Sequence, residues 1–333
     1  MKARVTVLRE LGGAGVLKLE TIDVPDPGPG EVRLLVSAIG LNRSEAMFRE
    51  GRLRLKPELP SRIGYEAAGI VESVGPGVTE FAVGDSVATL PRMETNAQGA
   101  YGEAMTVPAR FIVRNPDALD MAECAALWSS YLTAHAGLAY LTPIARGDFV
   151  LVTAASSSVG PAAIQIARML GAQPIAVTRR RAKADAIARM GVTGMIVTDE
   201  QDLCDQVHRI TGGRGVALIF DPVGGPAVST LADVSAPYGT IVLYGALDAS
   251  PAPLPLRALI EKNIAIRGLG LHVEEVPHRT RDGITFIHEG VARGLLKPLI
   301  SERYRLGEIV EAARALDAMD HVGKIIVETG FRP

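Results

Sequence analysis

Cysteine is scarce in this sequence, long apolar runs are missing, and neither sign of charge dominates. The two cysteines among 333 residues, Cys124 and Cys204, make no C-x-x-C pair, so free thiols in a cytosolic enzyme are the expectation. No run of about 18 apolar residues occurs, so no membrane-spanning helix is expected. The opening MKARVTVLRE has no apolar core of signal-peptide length before charge interrupts it. With 35 basic and 37 acidic residues the formal charge is −2, and no long basic block is present, so neither nucleic acid nor an anionic membrane is an expected partner. No repeat of roughly 20–50 residues and no low-complexity tract stands out. What is there is a hydrophobic fraction of 47% on a chain long enough for two domains.

The first third reads as strands and turns. RVTVL, EVRLLVSAIGL, AAGIVESVG and GDSVATL are short apolar or alternating runs, punctuated by PDPGPGE and GPGVTEFAVGD. Near Asp120 the pattern changes. MAECAALWSSYLTAHAGLAYL has helical spacing, and FVLVTAA is a continuous apolar run of strand length. The helix SVGPAAIQIARMLG, the strand QPIAVTR, the helix RAKADAIARMG and the runs MIVT, VALIFD, TIVLYG and NIAIRGLG follow. Continuous apolar strands alternating with amphipathic helices predict a parallel sheet covered on both faces. The tail carries two helical stretches and the strand GKIIVET, of a type that returns to the first unit. The expected division is residues 1–119 with 271–333, and 120–270.

VLVTAASSSVGPAAIQ sits at a strand-to-helix turn, where a dinucleotide fold places its pyrophosphate. The glycine fingerprint G-x-G-x-x-G falls on Ala155, Ser157 and Gly160, so two glycines are replaced by small residues. Ser156, Ser157, Ser158, Val159 and Gly160 are the candidate phosphate contacts; an ordinary small-residue turn is the competing reading. The next strand ends without the acid that accepts from a ribose 2′-hydroxyl. Thr178, Arg179, Arg180, Arg181 and Lys183 stand there instead, a set that suits a 2′-phosphate. NADPH is therefore the expected cofactor, with Arg179 and Arg180 leading. Loops after later strands, carrying Val223, Tyr244, Gly245 and Leu269, are expected at the same sheet edge.

These residues, together with GPGEV (28–32), GLNRSEAMFREG (40–51), GYEAAGIVESVGPGV (64–78), GDSV (84–87), AYGEAMTVPA (100–109), LTAHAGL, DPVGG and GKIIV, give the chain a resemblance to the medium-chain dehydrogenase/reductase superfamily, in its zinc-free, quinone-oxidoreductase-like branch. The resemblance implies an α/β fold: a GroES-like β-rich catalytic domain plus a Rossmann doubly wound parallel-sheet domain, with the active site between them and Thr133 and Lys324 among the cofactor contacts. The zinc ligands of related enzymes fall on Asn42, Tyr65 and Ser129, and no cysteine lies between Arg92 and Pro116 where a structural zinc lobe would be. None of these three is a good zinc ligand in its neutral state, so no zinc is expected. Tyr65, Asn42, Arg43 and Ser129 are the candidate donors to an acceptor oxygen. Each also has a structural reading: Tyr65 as filler, Asn42 bonded to a turn, Arg43 paired with Glu66 or a cofactor phosphate, Ser129 as a small packing residue. Glu66 is expected to be structural, and Trp128 and Tyr131 fit either a pocket wall or helix core.

The resemblance implies NADPH-dependent hydride transfer to a quinone or an α,β-unsaturated carbonyl. A metal-free alcohol dehydrogenase or carbonyl reductase, and a non-catalytic NADPH-binding protein, are the alternatives. Homodimerisation through an edge strand, TIVLYG or NIAIRGLG, is expected. The loops at 47–60 and 92–100 are the candidate determinants of substrate choice.

Overall fold

The structure, a computed structural model, describes every residue except 54, 92–95, 97, 272, 274 and 333. Parts of both candidate substrate loops, and His272, lie outside the described residues. The chain divides into two compact units, Met1–Ser129 with Lys297–Pro333, and Ser130–Leu296.

The first unit begins with strands β1 (Lys2–Val7), β2 (Lys18–Asp23), β3 (Glu31–Gly40), β4 (Ala67–Val74), β5 (Ser86–Thr89), β6 (Ala104–Pro108) and β7 (Ile112–Arg114). Helices α1 (Arg43–Arg49) and α2 (Met121–Cys124) belong to the same segment, and α3 (Trp128–His135) starts at its end. The second unit holds β8 (Phe149–Val152), α4 (Val159–Met169), β9 (Gln173–Thr178), α5 (Ala184–Ala188), β10 (Gly194–Val197), α6 (Leu203–Thr211) and β11 (Val216–Asp221). It continues with α7 (Val228–Val234), β12 (Ser235–Leu243), α8 (Leu256–Lys262), β13 (Ala265–Gly268) and α9 (Pro277–Ala292). The chain then returns to the first unit with β14 (Ile300–Arg305), α10 (Ile309–Ala318) and β15 (Lys324–Glu328).

In the first unit β1 and β2 form an antiparallel pair, and the larger sheet runs β14-β15-β3-β4-β5-β7 with β6 also on β3. The long strand β3 is the hub, and seven of its first nine residues are apolar or small enough to be packed over. Strand β15 pairs antiparallel with β3, Ile326 opposite Gly40, so the tail strand does rejoin the first unit.

In the second unit six parallel strands run β10-β9-β8-β11-β12-β13. The order reverses between β8 and β11, which makes their carboxyl ends the ligand-binding edge of a doubly wound sheet. All four residues of β8 are buried, as a central parallel strand requires. Helix α4 buries Pro161, Ile164, Ile166 and Ala167 and exposes Arg168; Pro161 is tolerated because it falls in the first turn. Leu151, Ile175, Ile196, Val207, Ile219 and Ile241 share one core on this sheet.

Two expectations need correction. The helical stretch after Asp120 is not continuous: α2 and α3 are separate, and residues 136–141 wind as a π turn. The break has a tertiary cause: the Ser129 amide bonds to the Glu66 carboxylate at 2.9 Å, so the second helix starts afresh on an acidic cap. The strand TIVLYG is not an edge either; β12 lies between β11 and β13, and it is β13 that ends the sheet on that side.

Candidate active site and cofactor site

The turn between β8 and α4 is tightly made. Ala154 takes φ 44°, the Ala155 amide bonds to Val177 O at 3.0 Å, and the Ser157 amide to Ala154 O at 2.8 Å. A Cβ on Gly160 would sit 2.2 Å from Ala155 O, so the helix can approach this close only with glycine there. Ser156, Ser157, Ser158 and Val159 are half-buried along the mouth of the turn. Such a turn, opening an eleven-residue helix, has the form that can hold a pyrophosphate.

The basic cluster at the end of β9 reaches this turn: Lys183 Nζ donates to Ser156 Oγ at 3.4 Å. Thr178 is buried, while Arg179 and Arg180 are exposed. Arg181 is engaged by Glu200 from the loop after β10, an acid whose approach the sequence did not reveal. At the switch point, buried Asp221 accepts from Thr153 Oγ1, from the Gly224 amide at 2.7 Å and from the Val223 amide at 3.1 Å. Burial raises its carboxyl pKa while these donors oppose the shift. DPVGG is thus a loop folded around its own carboxylate. Phe220 and Tyr244 stack with centroids 4.2 Å apart, a Cβ on Gly245 would lie 2.7 Å from Pro222 O, and the Leu269 amide bonds to Leu243 O at 2.8 Å. The candidates from 156 to 269 therefore gather along the carboxyl edge of one sheet. Thr133 is half-buried on α3, and Lys324 belongs to the first unit.

The first unit assembles its polar site on two buried carboxylates. Glu45, on α1, accepts from the Asn42 amide at 2.7 Å, the Tyr65 amide at 2.9 Å and the Tyr101 hydroxyl at 2.7 Å. Burial pushes its pKa up to about 7 against the pull of those donors. Glu66 accepts from Lys324 Nζ at 2.5 Å, Asn42 Nδ2 at 3.0 Å and the Ser129 amide at 2.9 Å. Both residues thereby tie together the loops that carry Asn42, Tyr65 and Ser129.

Tyr65 is half-buried, with its hydroxyl 2.8 Å from Ser44 Oγ. Burial first, and the Glu45 charge second, hold the phenol far above its ordinary pKa, so it stays protonated. Held neutral in this way, the phenol has a proton to donate. Ser44, Phe48, Leu53, Ile63 and Tyr65 line a small pocket at this point.

The other candidates are engaged within the protein. Asn42 Nδ2 donates to Gly40 O at 3.2 Å as well as to Glu66, and Oδ1 takes Lys324 at 2.6 Å, so both N–H bonds of its amide are committed within the protein. Arg43 pairs with Asp317 at 3.1 Å rather than with Glu66. Trp128 and Tyr131 are buried helix core, the latter bonded to Gln165 at 2.8 Å. Ser44, Glu45 and Tyr101 escaped the sequence reading. The Asn42-x-x-Glu45 spacing of a capping box was the signal that marks Glu45. Among the described residues, no three His, Cys, Asp or Glu side chains gather as a metal site would need.

Comparison with known proteins bears on both units. Residues 28–117 match the alcohol dehydrogenase GroES-like domain family, and residues 158–289 match the family described as zinc-binding dehydrogenase. A 2-haloacrylate reductase from Burkholderia sp is 30% identical over 333 residues, covering 96% of this chain and 97% of that protein. A mycocerosic acid synthase-like polyketide synthase of Mycobacterium tuberculosis is 31% identical over 327 residues; the match takes in 96% of this chain but spans only 15% of that protein's length. The crystal structure of Escherichia coli quinone oxidoreductase complexed with NADPH superposes with a TM-score of 0.89 at 26% identity, covering 98% of this chain and 99% of that one.

Proposed function

The chain belongs to the medium-chain dehydrogenase/reductase superfamily, in its quinone-oxidoreductase-like branch, and from that premise we propose that it is an NADPH-dependent reductase of a quinone or an α,β-unsaturated carbonyl that works without a metal ion. The observation that carries this reading is the Tyr65 hydroxyl, protonated and hydrogen-bonded with Ser44. It supplies a neutral donor where related enzymes place a metal ligand.

Zinc does not fit these residues. Its protein ligands are thiolate, imidazole and carboxylate. Here Asn42 Oδ1 and Glu66 Oε2 already hold an ammonium, Ser129 presents a hydroxyl, and Tyr65 keeps its proton. The chemistry left open is that of acceptors needing little polarisation. Bound NADPH supplies a hydride. When an enone or quinone carbon receives it, negative charge appears on the carbonyl oxygen as enolate or phenolate, and a hydrogen bond from Tyr65 meets that charge. A phenol of such high pKa is a donor and not a base; solvent completes protonation.

A dinucleotide fits the second unit, because the Gly160 approach leaves no room for a Cβ and opens the helix terminus to an anion. Preference for the phosphorylated form rests on Arg179, Arg180 and Lys183 and on the absence of an acid at the end of β9. Reported NADPH complexes of relatives support the same reading. We further propose a homodimer through β13, the end strand of the sheet, with α8 just before it in the chain leaving Leu256 59% and Ile260 73% exposed; light scattering showing a monomer at micromolar concentration would remove it.

The test is NADPH oxidation with 1,4-quinones, enones and saturated ketones side by side. Turnover with quinones or enones supports the proposal. Turnover confined to ketones or alcohols favours a carbonyl reductase, and tight NADPH binding with no turnover on any acceptor favours a binding protein.

A further inference from the structure

A buried ammonium stands where the polar residues of the first unit meet. Lys324, on β15, has a side chain only 2% exposed, and its partner Glu66 is at 0%. Nζ bonds to Glu66 Oε2 and Asn42 Oδ1, and Glu66 in turn holds Asn42 Nδ2 and the Ser129 amide. The lysine stem is accommodated by the missing side chain of Gly40: a Cβ there would lie 2.8 Å from Lys324 Cε and 2.1 Å from Ala125 O. Four chain segments, from β3 and the start of α1, the entry to β4, the start of α3, and β15, close on this one ion pair.

A buried carboxylate without a cation beside it is strongly unfavourable, and its surroundings rearrange or admit water. Glu66 directly follows Tyr65 in the chain and holds the Ser129 amide, so the pair anchors the segment that carries the Tyr65 hydroxyl. We infer that Lys324 is a positioning residue for acceptor reduction: a cation built into the chain that balances Glu66 and, through it, fixes Asn42, Ser129 and the Tyr65 hydroxyl. The inference rests on the proposed acceptor chemistry for its kinetic readout only. It differs from a direct grip on the cofactor, the role the family resemblance implies for Lys324, in that Nζ acts through Glu66 and Asn42.

The experiment compares the parent with Lys324→Met, which keeps the stem beside Gly40 but removes the ammonium, and with Lys324→Met/Glu66→Gln, in which both charges are gone. NADPH affinity, kcat with 1,4-benzoquinone, and hydrogen–deuterium exchange of the Ser129 amide are measured in each. Lys324→Met is expected to leave NADPH Kd within about threefold, lower kcat about a hundredfold and speed Ser129 exchange at least about tenfold. The double variant is expected to regain at least about tenfold in kcat and to restore slow exchange. The inference is overturned by an NADPH affinity loss exceeding the loss in kcat, by unchanged kcat and exchange in Lys324→Met, or by no regain in the double variant. The exchange readout needs no acceptor. If the parent reduces neither quinone nor enone, the functional proposal alone fails, and Ser129 exchange still decides the positioning role. Should Lys324→Met not fold, the double variant decides: slow Ser129 exchange in a folded protein supports the inference, and a failure to fold overturns it.

Discussion

Reversing the charge of Arg179 and Arg180 tests cofactor choice. Both guanidinium groups are exposed beyond the end of β9, and Lys183 leans from the same segment onto Ser156 of the phosphate turn. A 2′-phosphate there takes one or two charge-assisted hydrogen bonds. Exposure places each near the low end of about 1.5–3 kcal/mol, so losing two costs about 3 kcal/mol, or about a hundredfold in Kd. Two carboxylates facing the phosphate add repulsion of about 0.7 kcal/mol per charge pair at roughly 6 Å in water, less in salt. Arg179→Glu/Arg180→Glu should therefore weaken NADPH at least about a hundredfold while NADH changes by no more than about threefold. Titration of nicotinamide fluorescence at fixed ionic strength measures both. Arg181→Ala is the control, since Glu200 already engages that side chain; it should shift neither affinity by more than about threefold. Equal losses of NADPH and NADH in the double variant would refute the argument.

The remaining predictions concern the first unit. Tyr65→Phe should lower kcat with quinone by about a hundredfold and leave NADPH Kd unchanged; an unaltered kcat would show that the hydroxyl meets no developing charge. Gly40→Ala drives a Cβ against Ala125 O and the Lys324 stem, and should cost at least about 1–3 kcal/mol in urea unfolding. Glu45 has a folded-state pKa of about 7, above the ordinary carboxyl value. Its contribution to stability is thus fully present below a pH of about 4.3 and is lost as pH rises towards 7, on the order of 3 kcal/mol in all. Urea curves at several pH values should show the parent losing stability across this window more steeply than Glu45→Gln; parallel profiles would exclude the buried carboxyl as the cause.

Local patterns carried much of the architecture. The parallel sheet was legible because its central strands carry short apolar runs, FVLV, all four residues buried, being the plainest. Gly160 was legible because a helix that close to its strand tolerates nothing larger. The site in the first unit was only half legible. Tyr65 and Ser129 were named, but the frame that holds them joins Glu66 to Lys324 across 258 positions, and no local pattern records such a contact. The same frame commits the amide of Asn42, which by residue type alone passes for a free donor. The helix break before Trp128 was hidden for a related reason: its cap is the side chain of Glu66, not a neighbour in sequence. Of the two candidate edges, TIVLYG is the more apolar, which in a parallel sheet marks the interior, and the edge falls to NIAIRGLG.

The central proposal is that Tyr65, and no metal ion, meets the charge that hydride transfer places on the acceptor. Its most direct test is turnover of the best quinone or enone acceptor by enzyme dialysed against a strong chelator, with transition metal measured in the same sample. The account predicts an unchanged kcat with far less than one metal per chain; loss of turnover on chelation, restored by added zinc, would contradict it.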